Sequence, residues 1–292
     1  MKHIKYLYIA IFIMITSSAF AHTMWVNITE SKTHKPSHVL SSIGWGHVNP
    51  IDDLPQNVKL TSYDLYDPDL EKTELPLPPA KATGSFDIKN GPTVVSGDIG
   101  ARKIILKEGC KAGTYQVGLK SAENYYTNYI NEKGRKKWAL KPKDEITDAK
   151  EIIRGMLYKA VAVSYFSFDK WTAPKSIGND LEILPVSDLS NVRVGDLVKF
   201  KILFRGKELT TSPENSIEYI TAVSNSFGGP DKFKLSSMIF GGKGQFRMPA
   251  AGQWLVNVYT RQEVTADNEL KDLVDKCDIA LFSSSISFTV KP

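Results

Sequence analysis

The chain has 292 residues, is 42% hydrophobic and carries a formal net charge of +5, enough apolar material for one large domain or two ordinary ones. The charge is mild and no dense Lys/Arg block interleaves with aromatics, which argues against nucleic-acid binding; "GRKKW" (134–138) reads as a solvated loop. No second apolar run of about 18 residues comes after the N-terminal one, so a chain that has lost its leader is expected to span no membrane.

That leader comes first. Lys2 and Lys5 give a basic start, Tyr6 to Ile15 an apolar run, and Ala19-Phe20-Ala21 a small-x-small cleavage site, the three parts of a secretory signal peptide. The run falls short of the roughly 20 apolar residues a spanning helix needs. Removal of residues 1–21 would place the protein in the periplasm or outside the cell. It would also make His22 the first mature residue, offering its ring and a free α-amine.

Strand patterns dominate the rest of the chain. "NVKLTSYDLYD" (57–67), "TYQVGLK" (114–120), "LVKFKILF" (197–204) and "QWLVNVYT" (253–260) alternate apolar and polar residues, as strands with one buried face do. Gly and Pro punctuate them at close intervals, which suits antiparallel sandwiches better than βαβ units. One stretch departs from this. "DEITDAKEIIRGMLYKAVAVSYF" (144–166) starts acidic and carries Ile146, Ala149, Ile152, Ile153 and Met156 at helical spacing. It predicts a short helical insertion near 144–156 with a strand after it. "FDKWTAPKSIGND" (168–180) then reads as a linker. The expected fold is mainly β: an N-terminal β-sandwich domain over 22–174 with the helical insertion, and a C-terminal immunoglobulin-like sandwich over 175–292. "CKAGTYQVGLK" (110–120) and "MPAAGQWLVNVYT" (248–260) share an Ala-Gly corner. That fits two related sandwiches, and equally the ordinary chemistry of strand entry.

There are two cysteines, Cys110 and Cys277. An even count in an exported chain favours a disulfide, while two separate thiols remain open because spacing does not show proximity.

Of five histidines, His3 belongs to the leader; His22, His34, His38 and His47 crowd between residues 22 and 47, and none lies beyond. Imidazole is the commonest transition-metal ligand near neutral pH. His34 and His38, in "SKTHKPSH", read as polar loop residues. His22 opens the first strand, "HTMWVNITE", and His47 sits at a strand end in "SIGWGHVNP". A terminal amine has a pKa of about 7.7–8, so a metal displaces its proton at little cost. The His22 ring and amine with His47 make a three-nitrogen set, which copper(II) and nickel(II) accept in tetragonal geometry. Asp52 and Asp53 are either outer hydrogen-bond partners of His47 or turn caps. Trp25 and Trp45 either wall the site or belong to the first sheet's core.

In these motifs the sequence resembles a known family: secreted proteins of unknown function found beside energy-coupling-factor nickel/cobalt transporters. The resemblance rests on "AHTMW", "WGHVNP", "AGTYQV", "GNDLEILPVSDLSNVRVGDLVKFKILFRGKEL" (178–209) and "FRMPAAGQWLVNV" (246–258), and covers nearly all of the mature chain. It implies β-sandwich domains and a periplasmic, non-enzymatic protein that captures nickel or cobalt and supports uptake by a membrane transporter. The metal residues carried over are His22 and His47. Thr23 and Met24 stand where the family often has an acidic or other polar residue, so no third side-chain ligand is carried over.

Three other functions compete. A copper carrier would be expected to cluster methionines, and the six here are scattered. A copper monooxygenase acting on polysaccharide would share the N-terminal histidine, with "YYTNY" (125–129) and Trp138 as an aromatic face or as plain strand residues. A metal-free carbohydrate-binding or adhesive module is the third. No Gly-x-Ser-x-Gly, His-Glu-x-x-His or Cys/His pattern points to a hydrolase.

Overall fold

A computed structural model describes residues 22–31, 33, 36–55, 59–210, 218–228 and 233–292. The expected leader, residues 1–21, and His34 lie outside the described residues. Among the described residues nineteen strands run in chain order: β1 (Thr23–Ser31), β2 (His38–Gly46), β3 (Leu60–Tyr66), β4 (Lys72–Glu74), β5 (Gly84–Asp87), β6 (Thr93–Ser96), β7 (Arg102–Ile105), β8 (Gly113–Ser121), β9 (Asn124–Asn131), β10 (Lys136–Ala139), β11 (Ala149–Phe168), β12 (Leu181–Pro185), β13 (Leu197–Phe204), β14 (Lys207–Glu208), β15 (Tyr219–Val223), β16 (Leu235–Met238), β17 (Lys243–Arg247), β18 (Gly252–Glu263) and β19 (Ile279–Val290). The chain is mainly β and sandwich-like, as the alternating runs lead one to expect. Among the described residues no helix is long and apolar enough to cross a membrane.

The centre is a ten-stranded sheet in the order β16-β15-β18-β19-β11-β8-β3-β4, with β9 also on β11 and β10 on β9. Its ladders are antiparallel except β11–β19, which is parallel. Side chains on a strand alternate between faces, and β11 is apolar on both. Leu157, Val163 and Tyr165 enter one core, while Ala160, Ala162 and Phe166 enter another. On the first face, β18 and β19 set Trp254, Val256, Phe282 and Ile286 against Ile183, Phe200, Ile202 and Phe246 of the β12–β13–β14 sheet, to which β17 adds. On the second, Val117, Leu119 and Phe166 pack against Met24, Val26, Val39 and Ile43 of the β1–β2–β7 sheet. The result is three layers with a shared middle.

That middle layer changes the meaning of the break expected at 168–180. The segment does run without a strand, from Phe168 to Leu181. Strands from both sides of it nevertheless share one sheet, so it marks a change of layer. It is also fastened: Thr114 and Thr172 exchange hydrogen bonds of 2.6–2.9 Å, and Gln116 Nε2 donates to the Lys175 carbonyl at 3.0 Å.

The helical insertion expected near 144–156 is not a helix. Lys143–Glu145 forms one 3-10 turn, and β11 begins at Ala149. The cause is two irregularities where β11 pairs β9, between Ala149 and Glu151 and between Ile152 and Arg154. Each bulge breaks the period of two, leaving Ile152, Ile153 and Met156 at a spacing that imitates a helix.

The disulfide is corrected too, since both thiols are free. Gly113, just after Cys110, pairs with Phe168, and Ile279, just after Cys277, pairs with Met156. The cysteines therefore sit beside positions far apart on β11, Cys110 by its end and Cys277 by its middle. Twelve residue steps separate Met156 from Phe168, about 40 Å at ~3.3 Å per residue. A disulfide needs Cα atoms within about 7 Å.

β1 is an edge of its own sheet, and open edges invite pairing with other chains. Here β19 covers it. Ser285 and Ser287 donate their hydroxyls to the carbonyls of Met24 and Val26.

Candidate metal centre

In the β1–β2 ladder Thr23 faces Gly46 and Met24 faces Trp45. One step outward, the same register sets His22 opposite His47. Directly opposed residues hold their Cβ atoms about 4.5–5.5 Å apart. The two imidazole centres lie 4.6 Å apart, with planes tilted by 38°. Both histidines are exposed. Trp45, on the same face as His47, stacks on His22 at 5.2 Å and 12°.

Trp25 belongs instead to the core. It is wholly buried, and its indole fills the space over its partner Gly44, where any side chain would collide with it. Its Nε1 donates to the Pro50 carbonyl at 3.0 Å.

Beyond β2 the chain turns sharply. Gly46 has φ +126°, and a Cβ there would strike the Asp52 side chain, so the turn requires glycine. The Asp52 carboxylate accepts the backbone N–H of His47 at 2.6 Å. Asp53 donates its N–H to the Trp45 carbonyl at 3.0 Å, and its carboxylate accepts that of Leu54 at 2.7 Å. These two acids close the turn, and these bonds do not reach the His47 ring. The loop is also held from outside. Asn27 Nδ2 donates to the Pro50 carbonyl at 2.8 Å, Gln253 Nε2 to Asn27 Oδ1 at 2.8 Å, and Asn49 Nδ2 to the Gln253 carbonyl at 3.1 Å.

His22 rests on tyrosines of the central sheet. The Tyr158 hydroxyl lies 3.5 Å from the His22 carbonyl, and the Thr23 and Tyr259 hydroxyls are 2.9 Å apart. Burial, then the neighbouring Tyr259, pushes the Tyr158 phenol well above its ordinary range. It stays a neutral donor at any physiological pH.

His38 differs. His38 opens β2, opposite Ser31 and Ile105. Eight residue steps separate it from Gly46, about 27 Å along the strand. The aromatic run at 125–129 forms β9, with Tyr125 and Tyr129 on one face and Tyr126 on the other, so it presents no single aromatic surface.

Among the described residues no group of three His, Cys, Asp or Glu side chains stands ready for a metal. The side chains of this site therefore supply two nitrogens. At about 2.0–2.1 Å per metal–nitrogen bond, two imidazoles sit roughly 4.5 Å apart between centres when adjacent on the metal, and roughly 6 Å when opposed. The observed 4.6 Å fits the adjacent arrangement.

Sequence reasoning found His22, His47 and Trp45, but missed Asn27, Asn49, Gln253, Tyr158 and Tyr259. Their contacts cross as many as 236 residues, and no local pattern marks such pairs.

Fold and site together define an all-β sandwich protein with an exposed imidazole pair at the end of its first hairpin. The chain belongs to the family described as domain of unknown function (DUF4198), whose model matches residues 19–262. No curated protein matches it. Among solved structures, a mutant alpha-2-macroglobulin from Salmonella aligns with 94% of this chain at 12% identity and a TM-score of 0.23. The alignment takes in only 26% of that protein's length, and the superposition is too loose to bear on fold or function.

Proposed function

We propose that the mature protein is a periplasmic metal binder that captures nickel or cobalt and passes it to a membrane transporter. The observation that carries this reading is the His22–His47 pair, whose rings are spaced for adjacent positions on one ion. The resemblance to proteins found beside nickel/cobalt transporters agrees with it. Cleavage after Ala21 would add the α-amine of His22, a third nitrogen on the same residue as the first. Less freedom is lost on binding than with three independent side chains. Exposure of both rings suits a protein that must load and unload, because incoming and outgoing ligands reach the ion directly. The metal is cargo, and no chemical step is assigned to the protein. Copper(II) accepts the same donors and binds such sites more tightly than nickel, so supply rather than affinity would decide which ion is carried.

The test is to titrate protein processed to His22 with nickel, cobalt and copper, beside a form bearing one extra Gly before His22. The added residue should weaken nickel binding at least tenfold, about 1.4 kcal/mol. Equal binding by the two forms would remove the amine from the site. Unchanged binding by His47→Ala would remove the pair.

A further inference from the structure

We infer that Gln253 is a positioning residue for His47, a role that rests on the metal reading for its purpose though not for its geometry. Gln253 is the second residue of β18, far along the chain from His47, yet it holds the His47 loop directly through its backbone and through Asn27 by its side chain. Its Nε2 donates to Asn27 Oδ1 at 2.8 Å, which aims Asn27 Nδ2 at the Pro50 carbonyl, also at 2.8 Å. Its own carbonyl accepts Asn49 Nδ2 at 3.1 Å. Asn49 and Pro50 are thus both tied to the framework, two and three residues past His47.

Two of the partners in these bonds are buried, which limits competition from water. Asn27 is 5% exposed and Asn49 3%. An amide turned the wrong way would set like groups against each other, so each has one workable orientation. Asn49 Oδ1 is buried without a partner among the described residues. A buried acceptor left unpaired opposes folding, and here that opposition is tolerated within two residues of His47. From the other side, Asp52 takes the His47 N–H. Two tethers on the far arm of the turn and one on His47 itself fix the backbone from which the ring projects toward His22. The three-layer fold explains why so distant a residue is used: β18 belongs to the central sheet and is the rigid element that reaches the loop.

Gln253→Glu keeps the side chain's size and removes the donor to Asn27. Asn49→Asp likewise removes the donor to the Gln253 carbonyl, and decides the matter if the first variant does not fold. Two readouts are needed on the mature chain. One is the nuclear Overhauser contact between the His22 and His47 ring protons in metal-free protein; the other is nickel affinity by calorimetry. Both variants should lose the ring contact and bind nickel at least tenfold more weakly, while retaining a cooperative thermal transition. If the ring contact persists and affinity stays within twofold, the inference is overturned. If His47→Ala leaves nickel binding intact, the metal reading fails, and the ring-contact measurement still decides whether Gln253 positions His47.

Discussion

The indole of Trp45 lies against the imidazole of His22, planes within 12° of parallel and centres 5.2 Å apart. Stacked aromatic pairs are worth about 0.5–1.5 kcal/mol beyond buried area. Trp45→Ala should therefore weaken nickel binding roughly two- to tenfold, and Trp45→Phe should recover most of it. Calorimetric titration of both variants is the check; equal losses would mean that stacking does not order His22.

Gly46 and Asp52 form a coupled pair. Gly46→Ala places a Cβ at φ +126° against the Asp52 side chain, which should destabilise the protein by about 1–3 kcal/mol. Asp52→Ala removes the acceptor of the His47 N–H. Because Gly46→Ala already pushes Asp52 aside, the double variant should lose clearly less than the two single losses combined. Urea denaturation of the four proteins measures this, and strict additivity would contradict the contact.

The free thiols make a redox expectation. Burial pushes the Cys277 thiol up to about 11, and the residue is 0% exposed. A maleimide at pH 8 should label half-buried Cys110 in the folded protein and reach Cys277 only after denaturation, since the thiolate is the reactive form. Unfolded, unreduced protein should show two labels, and a single mass shift of two hydrogens on reduction would restore the disulfide.

Acid stability depends on carboxylates tied to cations. Burial alone would raise Asp278, but Lys143 and the Gly155 N–H outweigh it and hold the group below the usual carboxylate range. Asp98, beside Arg102, is lowered in the same way. A depressed folded pKa contributes stability above the unfolded value, about 3.9 for Asp, and loses it as pH falls through the folded value. Denaturation midpoints should thus drop below about pH 4, and Lys143→Met should make that drop shallower. An identical acid limb in the variant would discount the Lys143–Asp278 pair.

What the sequence disclosed depended on range. Alternation marked most strands, because one buried face writes itself into every second residue. The histidine pair was legible because its members crowd into one short stretch and end two neighbouring strands. β11 misled, since bulges near Ala149 and Ile152 break its period. The sheet that crosses 168–180 was hidden because the β11–β19 pairing joins residues far apart in the chain. Gln253 was hidden for the same reason, as an ordinary polar residue at a strand entry.

The serines of β19 carry a consequence for the order in which the protein is made. β1 emerges long before Ser285 and Ser287, which seal its edge from 261 residues further along the chain. Closing so long a span is slow, and until it closes, the hairpin bearing His22 and His47 has neither its seal nor the grip of β18. A half-synthesised chain therefore holds the two imidazoles on an unsecured hairpin.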